Sequence, residues 1–481
     1  MPTRGWVWAI AAAAVAVGLS FGACTQDDAF ISFRYAEHLI QGHGLVFNPG
    51  EWVEGYTNLL WTLMIAGLMA LGGEPVVGST IMGLMCMAGT VVATAYLGRR
   101  DGAGGPWIAA PMLVAADAQF VLESVEGLET ALFALLITLG ARAYLREDRW
   151  GGSGWFVLAC LTRPEGVLLW GAVHAGGLVQ AWRGGALSAQ VQRTLRSAVP
   201  ILLCLAALTV WRITAYGDPL PNTFYAKTGG FAVPRGLSYV WAHIQSHPLL
   251  WGLGVVGAWM GRRRAHTLPL AVTVALFVAY VVVVGGDFKP TGRFLIPILP
   301  MVAVLAQGAL QWERPGPQLR ALIGLILVAA GIWAAHGRFV VMQVHAAERH
   351  ANLEARKVVG DWIAAQTPPD TVIAIHSAGV IPFYANRHTI DMWGLTDRTI
   401  ARTEIVGMGT GMAGHEKTNP EYVFSRSPDL YLPEDKVFTL RAWEQQVEPG
   451  FPSDFAQRYR PVSVPIKGRY LNMWVRRAGG Q

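Results

Sequence analysis

Asp27 and Asp28 stand side by side just after an apolar run that ends at Ala23, in the stretch Thr25-Gln26-Asp27-Asp28-Ala29-Phe30-Ile31-Ser32-Phe33-Arg34-Tyr35. Two adjacent carboxylates repel, which readies one of them to accept a proton, or else the pair holds a divalent cation. The plain alternative is a solvated pair at a helix start, where acidic residues are common. A second acidic segment follows at Glu123, Glu126 and Glu129, and His43 between two glycines could reach a ligand, although a lone loop histidine is usually polar filler.

The elements that must position these groups are apolar helices. Of the 481 residues 53% are hydrophobic and 15% charged, too apolar for a soluble enzyme of this length and not a composition for disorder or a disulfide scaffold. The 38 basic residues exceed the 32 acidic ones mildly and sit in short loops between apolar runs, which speaks for membrane topology and against nucleic acid as a partner. The four cysteines have no metal-ligand spacing and read as free thiols. Eleven spans are expected, at 6–23, 79–98, 106–122, 127–145, 154–162, 166–181, 197–215, 249–260, 267–284, 294–310 and 318–336, with 57–72 lying in the outer interface. The run up to Ala23 reads as an uncleaved first helix, and the stretch 154–181 breaks at Arg163-Pro164-Glu165.

With Met1 in the cytoplasm, the clusters Arg99-Arg100, Arg142 to Arg149, Arg183 to Arg196, Arg262 to Arg264 and Arg314 to Arg320 all fall inside. Residues 24–56, 123–129, the Arg163 turn, 216–248, 285–293 and everything after 337 then fall outside. The last 145 residues, 337–481, carry 17 Lys/Arg and 15 Asp/Glu, about twice the charge density of the rest. The fold class is therefore a polytopic α-helical membrane protein, a transmembrane domain at 1–337 with an outer loop at 24–56, followed by an extracytoplasmic α/β domain at 338–481. In that domain a helical pattern at 346–366 precedes strand-like runs at 371–376, 389–392, 429–432 and 470–475.

An outer acidic pair after the first helix, an amphipathic loop and a further acidic segment together resemble the GT-C class of lipid-linked glycosyltransferases. Within it, the wording DDAFISFRYAEHLIQGHGLVFNPGEWVEGYTN at 27–58, Pro221 to Lys227, Gly285 to Pro290 with Arg293-Phe294, Ile390 to Leu395 and Gly414 to Lys417 is similar to the mycobacterial terminal β-(1→2)-arabinofuranosyltransferase family. That resemblance implies an enzyme of a bacterial inner membrane that takes a sugar, arabinofuranose or another pentose, from a polyprenyl-phosphate donor. The acceptor is a cell-envelope glycan on the outer face, and the surrounding partners are membrane lipids. No nucleotide cofactor is implied, in keeping with a sequence that lacks a Rossmann fingerprint or P-loop. It further implies Asp27 as general base, with Asp28 as the supporting carboxylate, and a divalent cation, where one is used, at either of the two.

Arg163, Lys227, Lys289 and Arg293 become the candidates for the leaving phosphate. Each has a structural alternative: Arg163 paired to Glu165, Lys227 solvated in its loop, Lys289 and Arg293 anchored at lipid headgroups. For Lys289 the anchor is the preferred reading. Glu126, Glu129, Tyr56, Asn58, Asn222 and Asp287 are candidate substrate contacts in the outer segments. Trp393 and His415, with His376, are candidate glycan contacts in the C-terminal domain, where core packing is the alternative. Two other functions fit an eleven-span chain, a transporter or flippase of lipid-linked sugars and a non-catalytic envelope assembly factor. Against the first, no inverted repeat is visible and the ionisable residues gather on one side.

Overall fold

The computed structural model describes residues 3–22, 24–98, 108–147, 151–228, 232–264, 266–289, 292–310, 317–405, 407–433, 437–442 and 450–477. Arg99, Arg100, Arg314 and Pro290, on which parts of the topology and the motifs rest, lie outside these residues. The chain forms two compact units. The first holds 1–24, 76–208 and 231–347; the second holds 25–75, 209–230 and 348–481. The division drawn from charge density at 337/338 falls ten residues earlier, inside one continuous helix, Pro317–Gln366. Composition marks where apolar sequence stops, not where packing changes partners.

The first unit is helical. Among the described residues four helices are long and apolar enough to cross a membrane, Pro75–Leu97, Leu187–Tyr216, Thr267–Val284 and the segment Arg293–Leu310. Shorter apolar helices include Gly5–Ser20, Thr130–Leu145, Gly152–Thr162 and Pro248–Met260. The run expected at 106–122 is two short helices, Ala109–Ala115 and Ala118–Glu123, because Asp117 between them caps the second by accepting from the Phe120 N–H at 2.8 Å. The break at Arg163 is where the sequence places it, between Gly151–Thr162 and Gly166–Arg183. A Cβ on Gly166 would lie 2.6 Å from the Cys160 nitrogen, so a glycine is needed for the chain to double back there.

The second unit is built on a six-stranded sheet. Its strands are β1 (Val372–Ile375), β2 (His388–Asp391), β3 (Leu430–Leu432), β4 (Phe438–Thr439), β5 (Tyr459–Ile466) and β6 (Arg469–Arg476). β1 lies between β2 and β3, parallel to both, while β6 is antiparallel to β3, β4 and β5. The sequence locates β1, β2, β3 and β6. It misses β4, which has two residues, and β5, whose Pro461 and Pro465 argue against a strand until one sees that β5 pairs only with β6. Lys467 and Gly468, at φ 48° and 76°, make the two-residue turn that joins β5 to β6. The helix Asp27–Ile40 also belongs to this unit, as does Leu59–Ala70. A core of Ile31, Tyr35, Phe47, Tyr56, Ala226 and Leu395 joins all three of the unit's chain segments.

Candidate active site

The acidic pair opens the helix Asp27–Ile40, where carboxylates complement the N-terminal end of the helix dipole. Asp27 is held on three sides. Its Oδ1 accepts from the Val380 N–H at 3.0 Å and pairs with Arg356 Nη1 at 2.7 Å, and its Oδ2 accepts from the Gly379 N–H at 3.1 Å. Gly379 permits this approach: a Cβ there would lie 1.9 Å from the Asp27 carbonyl oxygen. A carboxylate offers about four acceptor sites, so three donors fix its orientation and leave one acceptor site over. Asp27 also lines a cavity of about 240 Å³ together with Arg349 and Arg356. Asp28 is half-buried and does not line it. Asp27 is engaged by a guanidinium, and among the described residues no group of three or more His, Cys, Asp or Glu could hold a metal.

The other sequence candidates of this unit fall into two sets. Tyr56, Asn58 and Asn222 are internal struts. The Tyr56 and Tyr216 hydroxyls lie 3.0 Å apart, Asn58 bonds Ser32, and the Asn222 amide donates to the carbonyls of Gly394, Leu395 and Asp397. Trp393 and His415 do meet, with ring centroids 4.1 Å apart, and His376 lies 5.6 Å from Trp393 on the same chain of rings. All three are half-buried. Lys227 ends the helix Asn222–Lys227, is exposed, and runs alongside Gly414.

The Trp393 loop is set by Asp391, which accepts from the Trp393 N–H at 3.0 Å and from the Thr396 N–H at 2.8 Å. Burial is the largest influence on Asp391 and pushes its carboxyl up to about 6. Its folded value thus lies above the unfolded one of about 3.9, so its stabilising contribution is complete below about pH 4 and is lost as pH rises through 6. The shift is worth about 3 kcal/mol between pH 4 and 8. Thermal unfolding followed by tryptophan fluorescence should therefore depend more steeply on pH in the wild type than in Asp391→Asn. Parallel pH profiles would refute this.

In the first unit the acidic and basic candidates are partners. Lys289 Nζ lies 2.5 Å from Glu126 and 3.4 Å from Glu123, and all three side chains are buried. The headgroup-anchor reading of Lys289 is therefore wrong, because its ammonium is enclosed between carboxylates. Arg163 bridges Glu129 at 2.9 Å and Glu165 at 3.0 Å, which realises the pairing expected at the Arg163 turn. Arg293 pairs with Asp287 at 2.7 Å. The Arg163 and Arg293 guanidiniums lie 5.1 and 5.7 Å from the Phe294 ring centroid. Three cations thus meet five carboxylates, so a phosphate entering here would have to displace at least one carboxylate from its cation. Sequence reasoning missed Arg356, Gly379 and Val380 entirely. Nothing in an amphipathic helix or a Ser-Ala-Gly turn announces that it will clasp a carboxylate some 350 positions earlier.

The fold is shared with two solved membrane proteins, ArnT and AglB. ArnT from Cupriavidus metallidurans in the apo state superposes with a TM-score of 0.56 over 98% of this chain and 98% of its own, at 15% identity. The same protein bound to undecaprenyl phosphate gives 0.53 over 81% and 86%. The archaeal oligosaccharyltransferase AglB from Archaeoglobus fulgidus, in complex with an inhibitory peptide and a dolichol-phosphate, gives 0.54 over 80% of this chain and 64% of its own, at 11% identity. In sequence the chain is similar to terminal β-(1→2)-arabinofuranosyltransferases, 28% identical over 342 residues to that of Corynebacterium glutamicum and 28% over 257 residues to that of Mycobacterium tuberculosis. These matches cover 58% and 47% of this chain but only 47% and 39% of the relatives, so the chain spans less than half the length of the curated proteins it matches. Residues 343–475 match a family described as a domain of unknown function, DUF8728.

Proposed function

We propose that this protein transfers a sugar, arabinofuranose or another pentose, from a polyprenyl-phosphate donor to a cell-envelope glycan on the outer face of a bacterial inner membrane. The observation that carries the reading is Asp27, an oriented carboxylate with one acceptor site left, lining a cavity at the head of its helix in a GT-C fold. The similarity to arabinofuranosyltransferases supports the sugar class.

In the reaction the acceptor hydroxyl gives its proton to Asp27 as its oxygen bonds to the anomeric carbon. The bond from that carbon to the donor phosphate breaks, and the polyprenyl phosphate leaves with the electron pair. Asp28 supports the base. Lys227, in the same unit as Asp27, is the proposed partner of the anionic leaving group, and Trp393 and His415 are the glycan contacts. We retain eleven crossings with 338–481 outside as the proposed topology.

Mass spectrometry of the polyprenyl-phosphate sugars in a strain lacking this chain tests the reading. One polyprenyl-phosphate pentose should accumulate and return to its normal level when the wild-type chain is restored, but not when the chain carries Asn at both 27 and 28. An unchanged lipid-sugar pool would sink the proposal.

A further inference from the structure

The cavity beside Asp27 has features that proton transfer does not call for. At about 240 Å³ it is below the roughly 300 Å³ at which ligand pockets usually begin, a size for a single sugar ring and not for a longer chain. Thr25 lines it, is only 2% exposed, and its hydroxyl has no hydrogen-bond partner. A buried hydroxyl left unpaired is costly, and a ligand that bonds it relieves that cost. Gln26 and Asn352 add two amides, each able to donate and accept, and Leu353 adds an apolar wall.

The charge in the cavity is balanced. Arg356 is matched by Asp27 at 2.7 Å, and the lining adds one further basic residue, Arg349, and one further acidic residue, Glu348. A phosphate would enter with no net positive charge to receive it. A polyol enters without that penalty, because its hydroxyls both donate and accept and its C–H face suits leucine.

We infer that this cavity is the subsite for one uncharged monosaccharide unit of the acceptor, held by Thr25, Gln26 and Asn352 so that one of its hydroxyls meets Asp27. The inference rests on the glycosyl-transfer reading and narrows it: the acceptor is recognised by one terminal sugar ring, and the discrimination lies with residues just ahead of the acidic pair and on the helix that carries Arg356.

The experiment uses full-length protein in lipid nanodiscs and saturation-transfer NMR with methyl α-D-arabinofuranoside and methyl α-D-mannopyranoside, with inorganic phosphate as competitor. At least one glycoside should be saturated by the wild type, undisturbed by phosphate, and bound about fivefold more weakly by Thr25→Val, the loss expected for one hydrogen bond. Asn352→Leu should weaken binding similarly, and because Asn352 is exposed this second variant is expected to fold even if Thr25→Val does not. Displacement of the glycoside by phosphate would make the cavity an anion site. Unchanged binding in both variants would place the sugar elsewhere. Either result overturns the subsite.

A parallel transfer assay separates the two claims. The same variants should raise the acceptor KM with kcat nearly kept. A wild type that binds the glycoside through Thr25 and Asn352 but transfers from no polyprenyl-phosphate sugar leaves the cavity's ligand class standing and refutes the glycosyltransferase reading.

Discussion

Asp27→Asn protein is expected to transfer sugar roughly 10² to 10⁴ times more slowly than wild type while still binding the polyprenyl-phosphate donor. The carboxylate is oriented by two backbone N–H groups and Arg356, so the loss comprises both the base and its positioning. An asparagine can keep one accepting oxygen in the clasp but must turn its NH₂ toward a donor, which costs alignment as well as basicity. Two companion variants separate these effects. Arg356→Gln removes the positioning charge and leaves the carboxylate, so it should shift the pH–rate profile while retaining more activity than Asp27→Asn. Asp28→Asn, outside the cavity lining, should cost less than either. Steady-state transfer together with donor binding measures all three. Near-normal transfer by Asp27→Asn with an inactive Asp28→Asn would reverse the two roles, and near-normal transfer by the double variant would remove the pair from catalysis.

The largest stability effect is expected at Arg34. Its guanidinium, 2% exposed, donates from Nε to the Phe47 carbonyl at 2.7 Å, from Nη1 to the Pro382 carbonyl at 2.5 Å, and from Nη2 to the Arg387 carbonyl at 2.7 Å. It also lies 4.6 Å from the centre of the Phe47 ring. Burial lowers its pKa to about 10, which still leaves it charged at neutral pH. Arg34→Leu removes three hydrogen bonds from a charged donor at roughly 1.5 to 3 kcal/mol each, although the Pro382 and Arg387 carbonyls keep the Asn386 N–H and the Thr389 hydroxyl, a loss comparable with the roughly 5 to 15 kcal/mol that holds a whole domain together. Little folded protein should be recovered, and what is recovered should melt far below wild type. Arg34→Lys, which keeps the charge and one or two bonds, should fall between. A melting curve for Arg34→Leu close to that of wild type would show that these carbonyls find other partners.

The sequence was most informative where a residue's role is local. The break at Arg163 needs only Pro164 and the glycine after it, and β1 and β3 are short apolar runs between turn residues. The acidic pair by itself reads as a helix cap, and it is the wording around it, from Asp27 to Asn58, that singles it out. What escaped is long-range. Lys289 looks like an interfacial anchor until Glu123 and Glu126 fold over it. Asn222 looks like a ligand contact until three carbonyls occupy its amide. Arg34 sat in plain view within the motif, yet a basic residue on a helix carries no sign that its partners lie near residues 382 and 387. Pattern reading weighs neighbours three or four positions away, and these partners are hundreds of positions apart.

That separation also governs the order in which the protein can be completed. Asp27, Arg34 and Asn48 find partners 341 to 353 residues further along the chain. At a synthesis rate of roughly 5 to 20 residues per second, the strand that completes this network emerges about 20 to 70 s after the residues that await it. During that interval the segment 25–56 carries a solvated arginine and unpaired carbonyls that the finished protein buries, so it stays open to proteases and to pairing with the wrong chain. The burden on quality control therefore falls at the end of translation: a ribosome that stalls before residue 379 releases a protein whose apolar helices are already made and whose Asp27 carboxylate lacks the two backbone N–H groups that help to hold it.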